Sequence, residues 1–332
     1  MNKNEIWTIS EITREKKISP VSFELLSRGR ALSEALDVPL AAVILGNNLK
    51  EEELTELIYH GADRVYLLNH KSLSCFIVEN ASNIICNLAR KYQPQVILAA
   101  ATTQGRTLMP HLSVRLDTGL TADCTDLQIE EETGLLLQIR PAIGGNIMAM
   151  IKTPQRRPQM ATVRPKSIPI LPRDEKRTGS IIPVDIDDSL LDNRVEHLGY
   201  LKSEAEEVNL SSADIIVSAG RGLKKKENLN LIRDLAGKLD AAVGASREVV
   251  DRGWMSYPHQ VGLSGKTVNP KTYLAVGISG AIQHLAGMKT AENIIAINLD
   301  PQADIFKISD FGIAGDLFEI IPLLIDKLEE RR

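Results

Sequence analysis

The chain has 332 residues, of which 43% are hydrophobic and 25% charged, so it can bury a core and is not disordered as a whole; at this length two domains are expected. Its 39 lysines and arginines against 43 aspartates and glutamates leave a net charge of −4, spread evenly on either side of residue 200, which argues against nucleic acid as a partner. No apolar run approaches the roughly 18 residues that span a bilayer, so no membrane insertion is expected, and a polar N-terminus without an apolar signal core points to the cytoplasm.

The first 120 residues alternate between the periods of strand and helix. A short strand at Ile6–Ile9 is followed by an amphipathic helix from Pro20 to about Leu36, then a buried strand Ala41–Leu45 that ends in Gly46. A glutamate-rich helix Glu51–Tyr59, a strand Val65–Leu68, a helix from about Ser74 to Tyr92 and a strand Val96–Ala100 continue the pattern. From residue 119 to 170 short alternating runs take over at Asp126–Glu130, Leu135–Ile139, Asn146–Ile151 and Met160–Val163, which read as an antiparallel meander. Thr153–Arg177, with five prolines, reads as an irregular exposed connection, and the polar, acidic residues 178–210 as a linker.

Alternation then resumes. Strands are expected at Asp214–Ser218, Ala241–Val243, Tyr273–Ile278 and Ile294–Asn298, and helices at Leu229–Leu239, from Gly280 onward and at Asp316–Glu330. The fold class is therefore α/β in two domains, 1–200 and 201–332, each with a mainly parallel sheet flanked by helices, the first with the appended antiparallel meander.

The second half places glycines just after strands: Gly220-Arg221-Gly222, Gly244-Ala245-Ser246-Arg247, Gly262-Leu263-Ser264-Gly265-Lys266 and Gly277-Ile278-Ser279-Gly280-Ala281. In open α/β sheets ligands bind beyond the carboxyl ends of the strands, where glycine lets backbone N–H groups approach an anionic ligand. Four such loops suit a nucleotide-sized ligand. None is a GxGxxG fingerprint or a GxxxxGK[ST] loop, and Asp310-Phe311-Gly312 stands without the other kinase elements. The three cysteines, Cys75, Cys86 and Cys124, form no CxxC pair and fall one short of an all-cysteine iron–sulfur site, and the six histidines are scattered, so no metal is expected.

The residue types beside these glycines suit a flavin. Arg247, Lys266 and His284 supply positive charge, Ser246, Ser264, Ser279 and Gln283 hydrogen bonds, and Asn298 and Asp316 contacts for ribose or adenine. A cation ~4 Å from a reduced flavin is worth ~4 kcal/mol at an effective dielectric near 20. Singly, however, Arg247 reads as a surface ion pair, His284 as a structural histidine and Ser279 as a helix cap. A self-contained nucleotide-dependent α/β enzyme and a non-catalytic adenine-nucleotide binder use the same loops.

Taken together, Val243-Gly244-Ala245-Ser246-Arg247, Gln260-Val261-Gly262-Leu263-Ser264-Gly265-Lys266, Gly277-Ile278-Ser279-Gly280-Ala281-Ile282-Gln283-His284-Leu285-Ala286-Gly287-Met288, Ala296-Ile297-Asn298 and Gly312-Ile313-Ala314-Gly315-Asp316-Leu317 strongly resemble the FAD domain of electron transfer flavoprotein α subunits. Gly119-Leu120-Thr121-Ala122-Asp123-Cys124-Thr125 and Arg157–Pro165 resemble the family's first domain. The resemblance implies a heterodimer with a β subunit that carries a second FAD or AMP, an FAD in the C-terminal domain, and an electron carrier rather than a self-contained enzyme. Arg247 would lie over the flavin near N5, Ser264 would bond its reactive edge, and His284 would face O2 and stabilise the anionic semiquinone. Arg221, Gly222, Ser279, Gly280, Ala281, Ile282, Gln283, Asn298, Asp316 and Leu317 would hold the pyrophosphate, ribose and adenine, with Ser246, Gln260, Val261, Gly262, Leu263 and Gly265 completing the site. Leu263 replaces a glutamine and Phe311 a tyrosine common in the family.

The form of Gly119–Thr125, with Gln138-Ile139-Arg140-Pro141-Ala142 and Gly144-Gly145-Asn146, resembles the anaerobic bacterial group. Many of these serve electron bifurcation, in which NADH reduces the β-subunit FAD and electrons divide between ferredoxin and an acyl-CoA dehydrogenase.

Overall fold

The computed structural model describes residues 4–13, 15–142, 147–199, 210 and 213–330. Contacts divide the chain into two units, Met1–Gly199 and Tyr200–Arg332.

The first unit runs β1 (Ile6–Ser10), α1 (Pro20–Leu36), β2 (Leu40–Gly46), α2 (Glu51–Tyr59), β3 (Arg64–Asn69), α3 (Val78–Tyr92), β4 (Val96–Ala100), α4 (Thr103–Arg115), β5 (Leu120–Cys124), β6 (Asp126–Ile129), β7 (Leu136–Pro141), β8 (Met148–Ile151), β9 (Gln159–Val163) and β10 (Ser180–Pro183). Strands pair in the order β10-β3-β2-β1-β4-β9-β5, every pair parallel. The near-continuous apolar run of β2 is what a strand covered on both faces requires. Leu25, Leu26 and Leu57 of α1 and α2 cover one face, and Ile84, Ile85, Leu108 and Leu112 of α3 and α4 the other.

The strands β6, β7 and β8 form a separate antiparallel sheet, as expected of a meander. One part of that expectation is corrected. Met160–Val163 does not join the meander but sits as β9 inside the parallel sheet, between β4 and β5, wholly buried. The alternation of its side chains reflects two different helix-covered and meander-covered faces rather than one face in water. The segment 153–177 is thus not an irregular connection throughout. Nor are residues 178–199 a plain linker, since β10 extends the sheet beside β3, Asn83 Nδ2 donates to the Leu190 carbonyl at 2.9 Å, and Asp192 N–H donates to Asn80 at 2.6 Å. Gly144, Gly145 and Asn146, and residues 200–209 of the expected linker, lie outside the described residues.

The second unit runs β11 (Ile215–Ala219), α5 (Leu229–Leu239), β12 (Ala242–Ala245), α6 (Arg247–Asp251), β13 (Thr272–Val276), α7 (Ile282–Leu285), β14 (Asn293–Asn298), β15 (Phe311–Ala314) and α8 (Leu317–Glu330). Its sheet is parallel throughout, in the order β12-β11-β13-β14-β15. Ile232, Leu235 and Ile321 of α5 and α8 pack on one face, while Val261, Val268, Met288 and Ile305, from the long connections between strands, pack on the other. Both expected α/β architectures are therefore present. Among the described residues no helix is long and apolar enough to cross a membrane.

Candidate functional site

In sequence order the second sheet reads 2-1-3-4-5, the order of doubly wound sheets whose ligand crevice opens where connections from the first and third strands depart to opposite sides. Here that point lies between β11 and β13. Gly220 and Gly222 follow β11 and meet Gly277 at the end of β13, with Gly222 N–H donating to the Gly277 carbonyl at 3.0 Å. Arg221, between the two glycines, is exposed.

Beside this point two segments lock together into a lip. The turn Gln260–Lys266 closes on itself through Lys266 N–H to the Gln260 carbonyl at 2.7 Å, Gly262 N–H to the Lys266 carbonyl at 3.1 Å, and the Gln260 side chain to Ser264 Oγ at 3.0 Å. It is tied to β12 by Val261 N–H on the Ala245 carbonyl, and to α7 by Leu263 N–H on the Gln283 carbonyl at 2.7 Å. Gly262, at φ +143°, makes this approach possible: a Cβ there would stand 2.9 Å from the Gln283 carbonyl oxygen. Gly280, at φ +89°, turns the chain from Ser279 into α7 against Ile305.

The lip leaves Leu263, Ser264, Ser279, Ala281, Ile282 and Gln283 exposed. Leu263 is 73% and Ile282 68% exposed, an apolar and polar mixture suited to a flat ring with polar edges. Ser246, at the end of β12, donates its N–H to the Ala219 carbonyl and precedes α6, while Arg247 opens α6. Arg247 is exposed and forms an (i, i+4) pair with Asp251 at 3.2 Å, the surface ion pair that residue alone would suggest. Burial pushes the Lys266 ammonium below its ordinary pKa.

His284 lies beneath the lip, 7% exposed, with Nε2 3.0 Å from the Tyr273 hydroxyl. Burial lowers its pKa to about 4, so at neutral pH the ring is uncharged. Nδ1 is buried and makes no hydrogen bond of ordinary geometry, although the nearby Val261 carbonyl favours a proton on the ring. Burial raises the Tyr273 phenol above its ordinary range.

Three of the expected site residues also make contacts within the protein. Asn298 at the end of β14 donates to the Ile278 carbonyl at 2.8 Å and accepts from Asp300 N–H at 3.0 Å. Asp316 accepts from Phe318 N–H at 2.9 Å, capping α8, and Leu317 is buried in the core. Sequence reasoning missed Tyr273, Tyr257, whose hydroxyl donates to the Ser264 carbonyl at 2.7 Å, and Gly287, where a Cβ would stand 2.4 Å from Gly262 N. A tyrosine inside the apolar strand Thr-Tyr-Leu-Ala-Val was the available signal, since a buried phenol needs a polar partner. Of the cysteines, Cys86 and Cys124 are buried, and burial pushes the Cys124 thiol up to about 12.

Residues 6–189 match the family model described as electron transfer flavoprotein domain, and residues 209–289 the one described as electron transfer flavoprotein FAD-binding domain. The chain belongs to the electron transfer flavoprotein family, in its α-subunit group. It is 48% identical over 326 residues to the electron transfer flavoprotein subunit alpha of Thermoanaerobacterium thermosaccharolyticum, covering 98% of each chain. It is 43% identical over 325 residues to protein FixB of Clostridium saccharobutylicum, with 98% and 96% covered. A third relative is the lactate dehydrogenase (NAD(+),ferredoxin) subunit LctC of Acetobacterium woodii, 42% identical over 315 residues, 95% of this chain and 75% of that protein. The FAD-binding match contains the whole lip, from Gln260 to His284.

Proposed function

We propose that this chain is the FAD-holding α subunit of a heterodimeric electron transfer flavoprotein, passing single electrons between a flavin-linked donor and partner dehydrogenases such as an acyl-CoA dehydrogenase. The observation that carries the reading is the glycine-built lip at the crevice of a 2-1-3-4-5 sheet, inside the segment matched by the FAD-binding family model. Bound there, FAD supplies an acceptor that takes electrons in pairs and gives them up singly.

The residues present fit that group. Gly262 and Gly280 let backbone segments approach closely enough to build the lip, since a Cβ on either would strike the Gln283 carbonyl or the Ile305 backbone, and the polar atom His284 Nδ1 is buried beneath it without a hydrogen bond of ordinary geometry. In this reading Gln260, Val261, Gly262, Leu263, Ser264 and Gly265 border the ring system, with Ser246 and Arg247 on the neighbouring loop. Arg221, Gly222, Ser279, Gly280, Ala281, Ile282 and Gln283 hold the pyrophosphate, and Asn298, Asp316 and Leu317 border the nucleoside end. Arg247 holds positive charge where reduction adds negative charge, attenuated by Asp251 and by water.

The unit of residues 1–200 serves to contact the β subunit and that of 201–332 to hold FAD, and the complex works in the cytoplasm. The likeness to LctC supports a finer reading, a bifurcating complex in which NADH reduces a second FAD in the β subunit and ferredoxin takes one of the two electron streams.

Co-purification with the β subunit tests both levels. Flavin bands at roughly 370 to 450 nm and one FAD or more per heterodimer are expected, and their absence ends the reading. Two FAD per heterodimer support bifurcation, whereas one FAD and one AMP refute it and leave the α-subunit assignment standing.

A further inference from the structure

Two arginines of the first unit meet over a cleft at the amino ends of its strands. Arg90 stands in the last turn of α3, and Arg115 is the last residue of α4. Arg90 Nη2 donates to the Arg115 carbonyl at 2.9 Å, and the Arg115 guanidinium donates to the Asn83 side chain of α3. Each helix end thus anchors the other's arginine. Both arginines are exposed, and among the described residues neither has a carboxylate within 4.0 Å. Of the nearby acids, Asp117 pairs with Arg156 at 2.9 Å and Asp192 with Arg194 at 2.5 Å. The cleft has a volume of about 740 Å³, within the range of small-molecule sites. Arg157 lines it as well, its Nη1 held by the carbonyls of Thr153 at 3.2 Å and Arg156 at 2.9 Å. Asn4, Gln95 and Pro158, which precede β1, β4 and β9, border it, as do Gln93 and Pro94.

A single arginine at the carboxyl end of a helix is explained by the helix dipole, which places about half a negative charge there. Three arginines on one cleft exceed that need, since the ends of α3 and α4 offset only about one of the three charges. The remainder matches a phosphate ester, which carries a charge of about −1.5 to −2 near pH 7. Guanidinium forks suit phosphate oxygens, and Arg90 and Arg115 each commit one of their five N–H groups within the protein and keep the rest. The geometry points to this cleft as a binding site for a phosphate ester of nucleotide size, its phosphate held between Arg90 and Arg115 and its body on the amides of Asn4, Gln93 and Gln95 and the apolar rings of Pro94 and Pro158. The anchoring of both arginines lowers the ordering cost that long side chains otherwise impose on binding. The site belongs to the first unit alone, at the end of the sheet opposite the carboxyl-end crevice of such folds, and does not depend on the flavin reading.

The experiment uses the full-length chain, together with its β subunit where that co-purifies, and ADP as the probe. Hydrogen exchange on the unsubstituted protein locates the binding: ADP should slow exchange of the backbone amides of residues 89–95 and 115–117, and this arm needs no variant to fold. Calorimetric titration should show an affinity that weakens as salt is raised and that falls about 10- to 100-fold in Arg90→Ala and in Arg115→Ala, the scale of lost hydrogen bonds to a charged group. Inorganic phosphate, which reaches only the arginines, should bind at least about tenfold more weakly than ADP. ADP binding that leaves both segments unprotected, or that is the same in two folded variants, overturns the site, as does the absence of ADP binding. Inorganic phosphate that binds as tightly as ADP overturns the nucleotide-sized half and leaves a bare anion contact. Protection of the two segments by the β subunit, with ADP excluded, overturns the ligand site in favour of a protein interface.

Discussion

Replacing Gly280 with alanine probes the lip where it is least forgiving. At φ +89° an L-residue adopts a backbone conformation that costs about 1–2 kcal/mol. The added Cβ would lie 2.3 Å from the Ile305 nitrogen and 2.7 Å from its Cα, and because both atoms belong to the backbone of a fully buried residue, neither can swing away. Relief requires moving the Ile305 strand of chain outward, at ~1–3 kcal/mol for overpacking. That movement breaks the bond from Ile305 N–H to the Ser279 carbonyl, 3.0 Å long, at a further cost of about 1 kcal/mol. The combined destabilisation of about 3–6 kcal/mol lowers the Tm of a unit of this size by about 10–18 °C. In the proposed reading the displaced Ser279–Ile282 turn also loses its hold on the ligand. Calorimetry and FAD content after gel filtration measure the two effects. Gly237→Ala in α5 is the control, because no atom lies within 4 Å of its Cβ position and an exposed helical glycine gains up to ~1 kcal/mol on becoming alanine. If Gly280→Ala keeps its FAD and melts within about 3 °C of the unsubstituted protein, the claim that backbone contact at this glycine builds the site is wrong.

Other outcomes follow from the same reasoning. His284 binds a proton in the folded protein only near pH 4 but in the unfolded chain near 6.5, so the unfolded state holds more protons between these values and stability falls as pH drops through that window. The loss reaches ~3 kcal/mol at most, and denaturation midpoints at pH 7 and pH 4.5 should converge in His284→Gln; equal slopes in both proteins would remove the assignment. Arg247→Ala should lower the one-electron potential of the bound flavin, and because the guanidinium is exposed and paired with Asp251 the expected drop is ~1 kcal/mol, on the order of 40 mV; an unchanged potential refutes its role. Glu5, 1% exposed, accepts from Trp7 Nε1 at 2.9 Å and from the Tyr66 hydroxyl at 3.0 Å and pairs with Arg64. Glu5→Ala strands these donors and should cost ~3–5 kcal/mol in urea unfolding of the full chain; a loss under 1 kcal/mol would show that the cluster relaxes freely.

The strands of both sheets were legible wherever a continuous apolar run is bounded by turn residues, as in β2 and β4, because burial on both faces leaves no other composition. Helix α4 was not, since Gly105 and Pro110 interrupt it and polar residues blur its period. Strand β15 was hidden because all four of its residues are exposed at the sheet edge, so no burial pattern marks it. For β9 the length was visible and the partner was not: alternation records which faces differ, never which strand lies alongside. The lip was legible as a set of glycines and hydroxyls, whereas the bonds that Asn298 and Asp316 make within the fold's own turns were not. Tyr273 escaped notice because its partner His284 stands eleven positions further along, in α7.

The route from β5 to β9 obeys a parity. These neighbours are parallel, so the chain must travel back the length of a strand before it can start again, a task usually given to a helix. Here three antiparallel passes do it, and an odd number brings the chain home: beyond β8, Thr153 Oγ1 stands 3.3 Å from where a Cβ on Gly119 would be, at the foot of β5. Length variation in this excursion is then quantised, since adding or deleting strands two at a time preserves the return, whereas a single pass leaves β9 facing the wrong end of the sheet it must complete.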